Sequence, residues 1–363
     1  MTGARLTLAL EAGGLVLPEG RIAILSPRAG ADLSALPKDR CHVITGFRPD
    51  HAAFAAAGYG CAVAPEGRYD AVLVCLPRAK AAARALIATA RGLTDGVVIV
   101  DGQKEDGIES ILKESRARVP VEGPVNKAHG KMFWMSARDM AGDVFADWQG
   151  GTETVAGGFV TAPGVFSADG IDPGSRFLAD TLPPLRGRVA DLGAGWGYLS
   201  ARLLENDAIT TLDLIEADHA ALECARANIS DPRASFHWED AREWRRDSPY
   251  DAVVMNPPFH TGRTADPELG RAFIRAAARL LSTRGTLYLV ANRHLGYETV
   301  LDEIFGKVSA LGGDRSFKVL SAERPTRQGA AQGVRSGAGH KDKETASEHA
   351  GRAPRAGRNG KHR

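Results

Sequence analysis

The sequence is poor in cysteine: Cys41, Cys61, Cys75 and Cys224 are the full set in 363 residues, and none forms a C-x-x-C pair. That pattern favours reduced thiols in a cytoplasmic protein over disulfides or a zinc site. No apolar run approaches the ~18 residues of a membrane span, so a bilayer-crossing helix is not expected. The opening MTGARLTLALEAGGLVL has an early Arg and an apolar stretch, but Glu11 interrupts it and no small-residue cleavage site follows. It reads as a first strand or hairpin, not a secretory signal. From 325 onward aromatic residues are absent and large aliphatic ones nearly so, while nine Lys/Arg face three Asp/Glu. Such a segment cannot bury enough apolar surface to offset its ordering entropy, so 326–363 reads as a disordered basic tail. A basic arm suits nearby nucleic acid, and it equally suits a solvated tail with no partner.

What is present is a soluble α/β chain long enough for two domains, at 44% hydrophobic and 25% charged residues. Two stretches open alike, YDAVLVCLPR at 69–78 and YDAVVMNPPF at 250–259. The likeness extends outward. RIAILSPRAGADLSAL (21–36) matches RVADLGAGWGYLSARL (188–203) without gaps, ITGFRPDHAA and DLIEADHAA share Asp-His-Ala-Ala, and a later strand pair follows in the same order. Each half alternates β-branched runs with Ala/Leu/Arg-rich helical stretches, the signature of a parallel sheet. Two related Rossmann-like α/β domains are therefore expected, over 1–150 and 151–325.

The second copy carries the chemistry. Asp191, Gly193, Gly195 and Gly197 follow a buried strand and precede a helix, a turn where a ligand can approach the backbone closely. Glu216 ends the next strand, 19 residues after Gly197, at a distance suited to a ribose diol. By itself this pattern fits dehydrogenases as well. Asn256, Pro257, Pro258 and Phe259 follow the fourth strand, at the edge where open α/β sheets bind ligands. Two prolines supply carbonyl acceptors and no N–H donors, Asn256 adds an acceptor and Phe259 a flat face. Such a pocket suits a planar exocyclic –NH2.

On these residues, with GVFSADGIDPGSRFL, DLGAGWG, NPPFH, LYLVAN and FKVL, the second half resembles class I S-adenosylmethionine-dependent methyltransferases. More narrowly, it resembles the ribosomal RNA small subunit methyltransferase C family, guanine-N2 methyltransferases of 16S ribosomal RNA. Those enzymes are likewise duplicated, with a first domain that has lost cofactor binding. The resemblance implies two tandem class I methyltransferase domains, the first degenerate, acting as a monomer on 16S ribosomal RNA or the small subunit. It implies S-adenosyl-L-methionine held by Asp191, Gly193, Ala194, Gly195, Gly197, Glu216, Asp240 and Asn256, with no metal. Asp240 would accept from the adenine amine, although it also reads as a helix N-cap. The segment 172–176 matches an upstream stretch beside the cofactor.

In the first copy the counterparts of Asp191, Gly193 and Gly195 are Ile24, Ser26 and Arg28; Arg48 aligns with Glu216, and Cys75-Leu76-Pro77-Arg78 with the Asn-Pro-Pro-Phe motif. The first domain thus keeps the scaffold without the site, and lacks a stretch equivalent to FHWEDAREW. Phe259, His260 and Arg263 are the expected substrate contacts, His260 as a shaping group rather than a base. GPVNKAHGKMFWM (123–135) mixes cations with aromatic faces as RNA binders do, and also reads as a core strand. Methylation of a protein glutamine or of adenine N6 through the same pocket stays open, as does a non-enzymatic RNA-binding assembly factor.

Overall fold

A computed structural model describes residues 2–258, 260–261, 264–265 and 267–326. The tail expected to be disordered lies almost wholly outside the described residues.

The first half contains α1 (Thr2–Glu11), β1 (Ile22–Leu25), β2 (Cys41–Ile44), α2 (Arg48–Ala56), β3 (Gly60–Ala62), β4 (Tyr69–Cys75), α3 (Lys80–Leu93), β5 (Thr94–Gln103), α4 (Ile108–Arg116), β6 (Glu122–Lys127) and β7 (Gly130–Ser136). A short hairpin, β8 (Glu153–Thr154) with β9 (Val160–Thr161), leads into the second half. There follow α5 (Pro173–Thr181), β10 (Gly187–Leu192), α6 (Tyr198–Leu204), β11 (Ile209–Glu216), α7 (His219–Asn228), β12 (Ala234–Trp238) and β13 (Tyr250–Met255). A second hairpin, β14 (His260–Thr261) with β15 (Thr264–Ala265), precedes α8 (Pro267–Leu280), β16 (Leu281–Asn292), α9 (Glu298–Ile304), β17 (Phe305–Gly313) and β18 (Phe317–Pro325).

The two sheets have one topology. The first runs β3-β2-β1-β4-β5-β7-β6 and the second β12-β11-β10-β13-β16-β18-β17, seven strands each. In both, five parallel strands end in an antiparallel pair. Apolar clusters cover both faces of each sheet, as parallel strands buried on two sides require. The duplicated Rossmann-like architecture follows.

Three readings of the first half need correction. The opening is helix α1, not a strand: Gly3, Arg5, Leu6 and Ala9 are its buried residues, a three-and-four spacing that turns one face inward. A counterpart of β12 persists as β3, three residues long; only the turn that follows β12 is missing. Most consequentially, the alignment on Asp-His-Ala-Ala is out of register by three. Leu25 pairs with Ile44 as Leu192 pairs with Ile215, and Phe47 and Asp218 are the N-caps of α2 and α7. Thr45, not Arg48, therefore occupies the place of Glu216. Its Oγ1 accepts the N–H of Phe47, as Glu216 Oε1 accepts that of Asp218.

The halves meet through these same loops. Phe47 and Asp218 form an antiparallel bridge, flanked by His219 N–H donating to Gly46 O at 2.9 Å and Arg48 N–H to Ala217 O at 2.8 Å. Because 46–48 and 217–219 are equivalent positions, the junction is a pseudo-two-fold one, with the carboxyl edges of both sheets turned toward each other. Trp238 Nε1 donates to Gly46 O (2.8 Å) and Ala217 O (2.9 Å), and Arg48 pairs with Glu239 at 3.2 Å while lying over the Trp238 ring.

Candidate active site

The carboxyl ends of β10, β11 and β13 open onto one cavity of about 720 Å³. It is lined by Gly193, Ala194 and Gly195 after β10, Glu216 and Ala217 at the end of β11, Asp240, and Asn256, Pro257 and Pro258 after β13. Most of the expected second-domain residues thus converge. Gly197 lies behind the loop, where a Cβ would come within 2.9 Å of Ile229 at a φ of +91°. Gly195 lines the cavity itself, at a φ of +56°, and a Cβ there would meet no atom within 4 Å. A side chain there would take ligand volume, so the loop is a bare-backbone cradle.

Asp191 sits fully buried beneath this loop. Its Oδ2 accepts from Ser200 Oγ at 2.7 Å, while Oδ1 has no partner among the described residues. Burial pushes its carboxyl up to about 7. Glu216 is half-buried, its oxygens accepting the N–H groups of Gly195 and Asp218, each at 2.8 Å. Burial raises it to about 7 as well, against those hydrogen bonds. Each carboxylate oxygen has a second lone pair, so Glu216 can still accept from a diol in the cavity.

Asp240 heads a turn rather than a helix, and its side chain reaches the cavity. It caps the turn after β12, accepting the Arg242 N–H at 2.9 Å. Its carboxylate also holds the Arg242 guanidinium, with Nη2 at 2.6 Å.

Asn256 is fixed by Asp172 and Ser175, from the segment 172–176 that the resemblance sets beside the cofactor. Its Nδ2 donates to Asp172 Oδ2 and Ser175 Oγ, both at 2.9 Å, and Asp172 in turn caps α5 by accepting Ser175 N–H at 2.7 Å. Asp172 can only accept, so the amide cannot turn over, and its Oδ1 is committed as an acceptor. Pro257 is buried and Pro258 exposed beside it. Phe166, 57% exposed, lines the same cavity, with its backbone carbonyl held by Trp196 Nε1 at 3.0 Å. Phe259 and Arg263 lie outside the described residues, as does the side chain of His260, whose backbone is in β14.

The first half carries other residues at the corresponding positions. Cys75 stands at the Asn256 position, buried, and burial together with Asp101 raises its thiol. Arg5 from α1, fully buried, pairs with Asp101 through Nη2 at 2.9 Å. Ser26 keeps the left-handed backbone of Gly193, φ 56° against 75°, in a loop that carries Arg28 where Gly195 stands. The Phe133 and Trp134 rings of the 123–135 segment are buried core, so they are not stacking faces for RNA.

The fit to an S-adenosylmethionine-type ligand follows from these features: a bare-backbone cradle, a diol acceptor in Glu216 and an apolar wall. Among the described residues no group of three or more His, Cys, Asp or Glu side chains could hold a metal ion, and no helix is long and apolar enough to cross a membrane.

Comparison with known proteins agrees with this geometry. Residues 156–321 match the methyltransferase small domain family. The ribosomal RNA small subunit methyltransferase C of Shewanella sp. (strain MR-4) is 28% identical over 269 residues, covering 71% of this chain and 78% of that protein. Its counterpart from Klebsiella pneumoniae is 38% identical over 166 residues, 44% of this chain and 47% of that one. The structure of the 16S rRNA N2 methyltransferase of T. thermophilus, in complex with AdoMet and guanosine, superposes with a TM-score of 0.72 at 26% identity, covering 88% of this chain and 92% of that chain.

Proposed function

Since the chain is a class I S-adenosylmethionine-dependent methyltransferase resembling the ribosomal RNA small subunit methyltransferase C family, we propose that it methylates the exocyclic N2 amine of a guanine in 16S ribosomal RNA. The observation that carries this reading is Asn256: its amide is locked with Oδ1 as acceptor, in a cavity shared with the glycine loop and Glu216. The T. thermophilus enzyme of matching fold binds AdoMet and guanosine.

In this reading residues 151–325 hold the single cofactor site and residues 1–150 hold none. When bound, S-adenosylmethionine would supply an electrophilic methyl carbon: the amine nitrogen would form the new C–N bond as the C–S bond breaks, with sulfur leaving as the neutral thioether and the alkylated nitrogen then releasing a proton to solvent. Gly193, Ala194 and Gly195 receive its methionine end, with Asp191 beneath them and Gly197 shaping the turn; Glu216 accepts the ribose hydroxyls and Asp240 the adenine amine. An exocyclic amine is a poor nucleophile because its lone pair is delocalised into the ring. Asn256 Oδ1 and the Pro257 carbonyl, accepting its two protons, favour pyramidal nitrogen and aim its lone pair. Positioning then supplies most of the rate, with no base needed before transfer. Phe259, Pro258, His260 and Arg263 contribute to the base pocket.

Nuclease digestion and mass spectrometry of RNA from a strain lacking the gene test the reading. N2-methylguanosine is expected to vanish from one site of the small subunit and to return with the wild-type gene. Intact N2-methylguanosine, with N6-methyladenosine or methylglutamine missing instead, overturns the guanine assignment.

A further inference from the structure

Arg242 lines the same cavity as Asp240, two positions further on in the turn after β12, and the cofactor reading leaves it without a task. The turn is closed by the N–H groups of Glu243 and Trp244, each donating to Asp240 O at 2.9 Å. It is tied to α8 by Arg279 Nη2, which donates to Arg242 O at 2.7 Å. The Arg242 guanidinium folds back on the Asp240 carboxylate. Nε donates to Oδ1 at 2.9 Å and to Oδ2 at 3.0 Å, and Nη2 donates to Oδ2 at 2.6 Å. The backbone N–H of Arg242 adds a bond to Oδ1 at 2.9 Å. The Asp240 side chain is 14% exposed and that of Arg242 40%, so the pair sits in the cavity wall and not out in solvent. An ion pair between residues two apart adds little stability to a turn that the Asp240 carbonyl and Arg279 already hold. Its consequence is geometric, because a planar guanidinium fork fixes a carboxylate in one orientation.

We infer that Arg242 is a positioning residue for Asp240, one that sets the preference for a purine with an amine over a purine with a carbonyl at the same carbon. The inference rests on the cofactor reading above, in which Asp240 accepts from the adenine amine. An aspartate carboxylate turns easily about its last bond and offers about four acceptor positions. Here the Arg242 N–H and Nε–H fall on Oδ1 and the Nη2–H falls on Oδ2, so Oδ2 keeps an open position and the group is not free to turn. A fixed oxygen with one open position suits a single N–H from an amine. A carbonyl in that place sets oxygen against oxygen, and a clamped carboxylate cannot turn aside to relieve it. Without Arg242 the carboxylate rotates, and a water can bridge it to either base.

Titration calorimetry of the full chain with S-adenosylhomocysteine and with its inosine analogue, in which a carbonyl replaces the adenine amine, tests this. The wild type is expected to prefer the adenine ligand about a hundredfold or more, as sites built to hydrogen-bond a group reject an analogue that lacks it. Arg242→Ala is expected to lower that ratio about tenfold, the order of one hydrogen bond to a charged group. Arg242→Lys supplies a cation without the fork, and is expected to lower it to a similar extent. A merely structural role would weaken both ligands together and leave their ratio unmoved. An unchanged ratio in Arg242→Ala, or full recovery in Arg242→Lys, therefore overturns the positioning role. Asp240→Ala tests the premise separately: if it abolishes the preference while Arg242→Ala keeps it, the cofactor reading stands and the inference falls. A wild type that binds the two ligands alike overturns the reading of Asp240 and the inference with it.

Discussion

The side-chain amide of Asn256 donates to Asp172 Oδ2 at 2.9 Å, across 84 residues of chain, and that bond sets which end of the amide faces the cavity. The carboxylate does two tasks, since it also caps α5 through Ser175 N–H. Both bonds fall on one oxygen, Oδ2, so an asparagine that places its Oδ1 there can keep both, whereas Asp172→Ala removes both and leaves only Ser175 Oγ to hold the amide. Methyl transfer is expected to fall tenfold or more, on the order of losing an oriented active-site acceptor, with cofactor affinity within about twofold of wild type. Asn256→Ala is expected to cost about a hundredfold or more in turnover on the same ground. Unchanged turnover in Asp172→Ala would show that the amide orientation does not depend on this bond.

The glycine loop, Glu216 and the Asn-Pro-Pro motif were legible in the sequence because each is a local device: a turn that needs bare backbone, an acid at a strand end, two rigid prolines. Asp172 entered through the resemblance alone, within 172–176, and its bond to Asn256 was not legible, because only the packing of α5 against the sheet brings the two together. Arg28 and Phe47, which line the cavity from the first half, were hidden for a similar reason, since their place there depends on how the two halves dock. The register error around Arg48 has a simple origin. Asp-His-Ala-Ala recurs by identity, while the strand pairing that fixes true equivalence is set by hydrogen bonds that a sequence match does not see.

One cofactor per chain is expected. Cys75 and the buried Arg5–Asp101 pair occupy the first-half position that corresponds to the cavity at Asn256, and Thr45 replaces the diol acceptor. Calorimetry should give a stoichiometry near one, abolished by Gly193→Arg, whose side chain would fill the loop at a backbone φ of 75°. A stoichiometry near two would mean the first half still binds.

Trp238 ties the halves together through one N–H shared between Gly46 O and Ala217 O. Trp238→Phe keeps the ring but leaves both carbonyls without that donor. A loss of about 1 kcal/mol in unfolding free energy is expected, the ordinary net worth of such a bond. Urea denaturation measures it, and an unaltered midpoint would show that water replaces the indole N–H at no cost.

The two raised carboxyls give a pH dependence of defined sign. In the folded, ligand-free protein Asp191 and Glu216 titrate at about 7, against 3.8 and 4.5 for the free side chains. Between roughly pH 4 and 7 the folded state holds protons that the unfolded chain has released, so their contribution to stability is full at low pH and is lost as pH rises through 7. Other groups work against it: burial lowers the pKa of His51 and His237, which favours the folded state at higher pH. The difference between wild type and an Asp191→Asn, Glu216→Gln double variant isolates the carboxyls. Urea midpoints at pH 5 and pH 8 should show the wild type losing more stability, or gaining less, than the variant as pH rises. Cofactor affinity should run the other way, strengthening as Glu216 ionises and becomes a full acceptor for a diol. A wild type and variant that respond identically to pH would place both carboxyls in the ordinary range and remove Asp191 and Glu216 as the source of either effect.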